Sequence, residues 1–195
     1  MTKNNESVSS ASEGYGTEPL TECESFRPSA KYESLLFRVY KNTSLYKMLR
    51  VLCVAIVFLT LCAYLYSIAT SIFAAKPLEA VRLLTVTAPS FFVVSAVRRI
   101  INAPRPYEIL PFYDKAPKET RGRSFPSRHV FSVFVIGTAL TFTSAPVGIA
   151  VLLGGVILSV CRVLLGIHFI KDTVAGAVIG AISGVVGMLI TGFFF

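Results

Sequence analysis

The sequence predicts an all-α protein, a polytopic membrane bundle of about five transmembrane helices with a possible interfacial helix near its N-terminus. The 195-residue chain is 53% hydrophobic and 15% charged, with a mean hydropathy of +0.65, whereas soluble domains average about 25% charged residues. The charges are also segregated. From residue 130 to residue 195 the charged side chains are Arg162, Lys171 and Asp172, which are too few to cover the surface of a soluble domain.

Composition divides the chain into three segments. Residues 1–25 are polar and rich in Ser and Glu, which predicts a disordered tail. Residues 26–50 mix apolar with basic residues, which suits an amphipathic segment on an anionic membrane surface; a solvated juxtamembrane linker fits this stretch equally well. Residues 51–195 form the predicted transmembrane domain. The net charge of +8 does not indicate nucleic acid, because the basic residues flank apolar spans, and lipid headgroups are the expected partner.

Five apolar segments are candidates for spanning helices, which need about 20 residues each. The third is short, and the second starts with Pro77, which suits the first turn of a helix. In the last segment Gly176, Gly180 and Gly184 recur every four residues, a spacing that predicts close helix packing. The segments are 51–75, 77–101, 129–143, 147–165 and 173–195.

Counting spans places the long polar stretch, residues 98–128, on the same membrane face as the turn at residues 166–172. Two histidines and one carboxylate therefore join a group of arginines at one end of the bundle. Arginine is always charged and binds phosphate oxygens in a bidentate manner. The residues expected to converge are Arg98, Arg99, Arg105, Lys115, Lys118, Arg121, Arg123, Arg128, His129, Arg162, His168 and Asp172.

The stretch SFPSRH adds a second anion-binding feature. Pro126 suits the first turn of a helix, so the backbone N–H groups of residues 127–129 should point, unpaired, toward the arginines. A helix N-terminus of this kind attracts anions. We therefore expect the bound group to be a phosphate.

Asp172 follows His168 by four residues, a spacing that puts two side chains on one helix face. The carboxylate can accept a hydrogen bond from one ring nitrogen and leave the other as a nucleophile. His129 is then available as the acid for the leaving oxygen. Either histidine taken alone is better interpreted as a hydrogen-bonded residue at a helix end, and it is their combination with the arginines that favours a functional site. One carboxylate and two histidines make a poor magnesium site, so we expect no metal or other cofactor and a phosphohistidine intermediate.

Three motifs, RRIINAPRPY, PSRH and CRVLLGIHFIKD, resemble the ordered signatures K-x6-R-P, P-S-G-H and S-R-x5-H-x3-D of the type 2 phosphatidic acid phosphatase superfamily. The resemblance spans roughly residues 51–195. It implies that His168 is the nucleophile, that Asp172 orients it, and that His129 is first acid and then base. It also implies a lipid phosphate or diphosphate substrate cleaved without a metal, with the phosphate held by Arg98, Arg105, Ser127 and Arg162.

Three residues depart from these signatures. Arg98 replaces lysine and keeps the charge, whereas Cys161 replaces serine and removes a hydroxyl donor. Arg128 replaces the glycine of P-S-G-H and places a long cation beside the pocket. This cation could bind a second phosphate, and we count Arg128 among the phosphate-binding residues, or it could crowd a bulky headgroup.

The predicted function is that of an integral-membrane phosphatase in lipid metabolism, hydrolysing a phospholipid-type monoester or a diphosphate such as a polyprenyl diphosphate. Three alternatives stay open: a lipid phosphotransferase with another acceptor than water, a lipid-binding scaffold with little turnover, and a transporter or channel. The last would be favoured if mutating His168 spared function.

The expected location is the cell membrane, in multi-pass form. With five spans the N-terminal segment and the site share one face, and 17 of the 19 Lys and Arg residues lie on it. The positive-inside rule places that face in the cytoplasm. Many bacterial members of the type 2 phosphatidic acid phosphatase superfamily have six spans and an outward-facing site. The charge distribution and the resemblance therefore predict opposite orientations.

Overall fold

The computed structural model describes residues 29–110, 112 and 121–194, and the predicted disordered tail, residues 1–25, lies outside them. The described chain folds into helices joined by short turns and loops, which confirms the predicted all-α class. In chain order the helices are α1 (Ala30–Lys41), α2 (Thr43–Phe73), α3 (Pro77–Ile101), α4 (Pro106–Ile109), α5 (Arg128–Thr141), α6 (Ala145–Leu164) and α7 (Ile170–Phe194).

Four of these helices, α2, α3, α6 and α7, are long and apolar enough to cross a membrane. The third predicted span corresponds to α5, which has 14 residues and is therefore only about 21 Å long. It packs against all four long helices and lies at the centre of the bundle. Its many buried residues are Val130, Phe131, Val133, Val135, Gly137, Thr138, Ala139 and Leu140. The protein is thus a multi-pass membrane protein with a short central helix.

Four helices begin earlier than hydropathy predicts, α5 by one residue, α6 by two, α7 by three and α2 by eight, whereas α3 has the predicted bounds. Helix α2 starts at residue 43 because the Asn42 side chain accepts a hydrogen bond from the Leu45 N–H at 3.0 Å and caps the helix. The start of α7 at residue 170 escapes hydropathy because its first turn carries the charged residues Lys171 and Asp172. Hydropathy marks the part of a helix that faces lipid, whereas capping fixes where the helix begins.

Helix α1 docks one face on the bundle. Leu36 and Val39 are buried, and the helix contacts α2 and α6. The Phe37 ring packs edge-on against Phe112 with centroids 5.5 Å apart, so α1 lies at the face that carries the loop after α4. The basic side chains stay exposed, as expected for an amphipathic helix: Lys31, Arg38 and Lys41.

The glycine stripe of α7 lies against α5. A Cβ atom at Gly176 would lie 2.7 Å from the carbonyl oxygen of Ser127, and one at Gly180 would lie 2.6 Å from the carbonyl oxygen of Phe131. These oxygens belong to the backbone and cannot move aside. The stripe therefore permits the close approach of α5 and α7 that brings Ser127 next to Asp172.

We predict that Gly180→Ala lowers the thermal stability of the purified protein in detergent. The added methyl group would overlap the backbone of α5, and overpacking of this kind costs about 1–3 kcal/mol. The measurement is the midpoint of thermal unfolding. Gly154→Ala is the matched control, since a Cβ atom there meets only Ile56 Cγ2, at 3.4 Å. Equal midpoints for the two variants would contradict the packing argument.

Candidate active site

A cavity of about 340 Å³ opens where the end of α3, the start of α5 and the loops at residues 102–105, 121–127 and 165–169 meet. We call it the arginine cavity. Six arginines line it, and no Asp or Glu does so among the described residues. The lining residues are Ser95, Arg98, Arg99, Arg105, Arg121, Gly122, Arg123, Arg128, His129 and His168. A space of this size and charge suits a small anionic group.

Five of the eight predicted site residues line the arginine cavity, and the structure brings the other three to its inner side without lining it. The five are Arg98, Arg105, Arg128, His129 and His168, and the other three are Ser127, Arg162 and Asp172. The predicted convergence at one end of the bundle is therefore what the structure shows.

Two buried arginines hold the backbone of residues 121–127, the loop that covers the cavity. The Arg98 guanidinium donates to the carbonyl oxygens of Pro126 and Arg123, and Arg105 Nε donates to the carbonyl oxygen of Gly122 at 2.9 Å. A guanidinium has five N–H donors, so each arginine keeps free donors in addition to those that bind the backbone carbonyls, and these can bind an anion. The hydrogen bonds to the loop hold both side chains in place before any ligand binds.

The same loop is pinned from its other side. Gly122 has φ +65, a conformation that favours glycine, and its N–H donates to Glu108 Oε1 at 2.7 Å. The Ser124 N–H donates to the carbonyl oxygen of Ala103 at 2.9 Å. Glu108, from the short helix α4, thus stabilises the loop and does not line the cavity.

Ser124 connects His168 to Asp172. The distance between His168 Nδ1 and Asp172 Oδ2 is 3.7 Å, which is too long for a hydrogen bond. The Ser124 hydroxyl donates to Asp172 Oδ2 and lies 3.3 Å from His168 Nδ1. Asp172 Oδ2 also accepts the N–H of Phe169 at 3.0 Å. The sequence analysis missed Ser124, because an uncharged serine two residues before Pro126 carries no signal of its own.

This hydrogen-bond pattern fixes the tautomer of His168. The Ser124 hydroxyl has one hydrogen, which it donates to the carboxylate, so its oxygen can only accept from the imidazole. Nδ1 of His168 therefore carries the ring proton, and Nε2 keeps its lone pair. Asp172 is fully buried and His168 is 2% exposed.

The helical-spacing argument for His168 and Asp172 was wrong in its geometry. Helix α7 begins at Ile170, so His168 precedes it, and the two residues do not share a helix face. The turn between α6 and α7 places the imidazole instead. Its Gly166 has φ +65, and the N–H of His168 donates to the carbonyl oxygen of Arg162 at 3.4 Å.

The expectation of unpaired N–H groups in SFPSRH was wrong for Ser127. Helix α5 begins at Arg128, and Ser127 is its N-cap with φ −69 and ψ 110. Pro126 therefore precedes the cap and does not lie in the first turn. The extended backbone turns the Ser127 N–H toward α7, where it donates to the carbonyl oxygen of Asp172 at 2.9 Å. This bond ties the starts of α5 and α7 together.

Ser127 and Arg162 carry buried polar atoms without partners. Ser127 Oγ and Arg162 Nε have no hydrogen bond to any described residue. Both side chains are buried, Ser127 completely and Arg162 at 6% exposure. Neighbouring Cys161, which stands at the serine position of the third motif, is also buried.

The pKa of His168 is lowered to about 4, mainly by burial and also by the charges of Arg105 and Arg162, while Asp172 opposes the shift. The imidazole is therefore neutral at pH 7.

Burial also raises the pKa of the Tyr32 hydroxyl to about 12, with a further contribution from the charge of Asp172. Tyr32 belongs to α1, so the N-terminal helix reaches the inner side of the site, a contact that the sequence did not predict.

The arrangement can bind a phosphate and present a neutral imidazole nitrogen to it. Guanidinium groups supply the positive charge, and a second histidine, His129, lines the same space. Within residues 29–110, 112 and 121–194 no group of three or more His, Cys, Asp and Glu residues comes together that could hold a metal ion.

Comparison with known proteins places this geometry in a family. A profile of the PAP2 superfamily matches residues 79–194, and no curated protein sequence matches the chain. The crystal structure of LpxE from Aquifex aeolicus aligns with a TM-score of 0.58 at 22% identity, covering 76% of this chain and 94% of that one. The crystal structure of a transmembrane PAP2 type phosphatidylglycerolphosphate phosphatase from Bacillus subtilis aligns with a TM-score of 0.66 at 18% identity, covering 90% and 93%. These two structures share the fold of this chain. The profile covers more than half of the sequence and every predicted site residue, and the chain therefore belongs to the PAP2 superfamily, as its three motifs predicted.

Proposed function

We propose that the protein is a membrane lipid phosphatase, which transfers a phosphoryl group from a lipid phosphate monoester or diphosphate to His168 and then to water. The observation that carries this proposal is the neutral imidazole of His168, held by Ser124 and Asp172 and opening on a cavity of arginines. Membership of the PAP2 superfamily supports it, as does the phosphatidylglycerolphosphate phosphatase named among the structural neighbours.

In the first step Nε2 of His168 attacks the phosphorus atom, and the bond from phosphorus to the leaving oxygen breaks. His129 donates a proton to that oxygen, as a general acid does. The proton on Nδ1 stays in place and continues to be donated to Ser124. The positive charge that develops on the imidazole is stabilised by buried Asp172, in the way that a carboxylate stabilises the histidine of a catalytic triad.

In the second step water attacks the phosphorus atom of the phosphohistidine. His129, now neutral, accepts a proton from the water molecule, and the phosphorus–nitrogen bond breaks. The electron pair returns to Nε2, inorganic phosphate leaves, and the enzyme regains its starting state. Another acceptor in place of water would make the same site a phosphotransferase.

The arginines take the role that a metal ion has in many other phosphoryl transferases. Positioned positive charge is the main requirement of phosphoryl transfer, and Arg98 and Arg105 are already held by backbone carbonyls. The proposed mechanism therefore needs no metal. Ser127 and Arg162 are kept as proposed phosphate ligands, because a bound phosphate is the partner that their buried polar atoms lack.

The proposal extends to location and orientation. The contact of Phe37 with Phe112 supports placing α1 at the face that carries the arginine cavity. Of the 19 Lys and Arg residues, 17 belong to the segments predicted for that face. By the positive-inside rule, the site faces the cytoplasmic side of a cell membrane. Helix α1 then lies at the surface of an anionic leaflet, which attracts basic segments.

The direct test is phosphate release by the purified protein from phosphatidate, phosphatidylglycerol phosphate and a polyprenyl diphosphate, each with and without excess chelator. We expect release from at least one lipid, unchanged by the chelator and absent in His168→Ala. A chelator-induced loss that magnesium restores would contradict the metal-free mechanism. Release that depends on an added alcohol acceptor would favour the phosphotransferase.

We predict that Asp172→Asn lowers kcat by a factor of up to about 10⁴, the loss seen when a triad carboxylate becomes an amide. The measurement is the initial rate of phosphate release by the purified variant.

We also predict an effect of Ser124→Ala, which removes one hydrogen bond to a charged group, worth about 1.5–3 kcal/mol. This variant should lower kcat roughly ten- to a hundredfold with little change in KM. Ser159→Ala is the control, because its hydroxyl only donates to the Gly155 carbonyl oxygen within α6. Wild-type kcat in Ser124→Ala would show that Ser124 does not connect the pair.

We predict that His168 stays neutral down to about pH 4 in the folded protein, because its pKa is lowered to about 4. The chain has two histidines, so a tag-free His129→Gln protein with labelled histidine gives a single imidazole signal by NMR. Its titration midpoint should lie near 4, against about 6.5 in an unfolded chain. Since the unfolded state binds the proton first, stability should fall as pH drops from about 6.5 toward 4. A midpoint of 6 or above would contradict the burial argument.

A further inference from the structure

A second cavity adjoins the arginine cavity and opens at the surface of the bundle, where Leu61 and Phe91 are exposed. We call it the apolar groove; its volume is about 340 Å³, and it lies between α2, α3 and α5. Apart from Arg128 and His129 its lining is uncharged: Val57, Thr60, Leu61, Phe91, Ser132, Val133 and Ile136. Arg128 and His129 line both spaces, so the polar cavity and the apolar groove adjoin at these two side chains.

Phe91 holds the Arg128 side chain at that boundary. The guanidinium carbon lies 5.4 Å from the centroid of the Phe91 ring, within the range of a cation–π contact. The Arg128 side chain is exposed, and no described carboxylate pairs with it. Its N–H donors are therefore available to an anion at the junction of the two cavities.

The order of groups along a lipid substrate determines what lies at this junction. With its terminal phosphate against His168 and its tail in the apolar groove, the substrate places its leaving group beside His129 and Arg128. In a lipid diphosphate that leaving group begins with the inner phosphate, which carries negative charge. In a lipid monophosphate the same place is taken by an uncharged alcohol oxygen and carbon chain.

We propose that Arg128 binds the inner phosphate of a lipid diphosphate, so that the site prefers diphosphates to monophosphates. This inference rests on the proposed phosphatase function and specifies its substrate class. His168 takes the terminal phosphoryl group, the bond between the bridging oxygen and the terminal phosphorus breaks, and His129 protonates the bridging oxygen. The lipid monophosphate leaves with its charge neutralised by Arg128, and water then releases inorganic phosphate from His168.

The crowding hypothesis for Arg128 fits the structure less well. A side chain that filled the arginine cavity would block it, whereas the guanidinium packs on Phe91 at the wall shared with the apolar groove. At the position of the motif glycine, this chain thus has the cation Arg128, whose side chain is held in contact with the Phe91 ring. A charge at that point distinguishes leaving groups and leaves room for the phosphoryl group that reacts.

The test compares two substrates with the same tail, farnesyl diphosphate and farnesyl phosphate, by initial rates of phosphate release from the full chain in detergent. We expect the wild type to prefer the diphosphate. Arg128→Ala should lower kcat/KM for the diphosphate roughly ten- to a hundredfold, the value of a hydrogen bond to a charged group, and should lower kcat/KM for the monophosphate by a clearly smaller factor. Arg128→Lys, which keeps the charge, should retain part of the preference.

Arg99→Ala is the matched control, because Arg99 lines the arginine cavity but not the apolar groove. It should lower kcat/KM for both substrates by a similar factor. Equal losses on both substrates in Arg128→Ala, with a thermal unfolding midpoint like that of the wild type, would overturn the inference. So would faster hydrolysis of phosphatidylglycerol phosphate by this variant, which would indicate crowding. A wild type that hydrolyses neither farnesyl substrate and no lipid of the panel contradicts the proposed function itself.

Discussion

The arrangement of the site depends on one buried carboxylate, that of Asp172. A buried charge is tolerated only when it is paired or hydrogen-bonded, and Asp172 Oδ2 accepts from Ser124 and Phe169. The backbone carbonyl of the same residue accepts the Ser127 N–H. Asp172 therefore joins the covering loop, the turn before α7 and the start of α5. Removing its charge would weaken the hydrogen bonds from Ser124 and Phe169, whereas the backbone bond to Ser127 would remain.

The membrane makes this arrangement possible. In the bilayer, helices associate through close packing of small residues, since lipid is as apolar as the helix surfaces. Gly176 and Gly180 let α7 contact the backbone of α5, and this contact carries the Asp172 carbonyl to the N-cap of α5. A short helix suffices at the centre because α5 is shielded from lipid on most sides. The packing that buries α5 is also the packing that aligns its first residues with those of α7.

Sequence reasoning predicted what depends on hydropathy, charge and motif order. The spans, the convergence of loops at one face and family membership follow from such patterns, and α3 has its predicted bounds. What it missed depends on local backbone geometry or on contacts between distant segments. Ser124 and Tyr32 carry no charge or periodicity that marks them. The Ser127 N–H was assigned to the cavity because Pro126 suits a first helical turn, but the chain there is extended and the N–H meets α7.

The arginines proposed to bind a phosphate also contribute, together with burial, to keeping the imidazole of His168 neutral. Burial lowers the pKa of His168, and the charges of Arg105 and Arg162 add to that effect. Nε2 of His168 is therefore unprotonated at pH 7. In the proposed mechanism, a bound phosphate brings negative charge next to this imidazole and offsets the field of the arginines as positive charge develops on His168. The substrate itself thus supplies part of the electrostatic environment that the proposed attack requires.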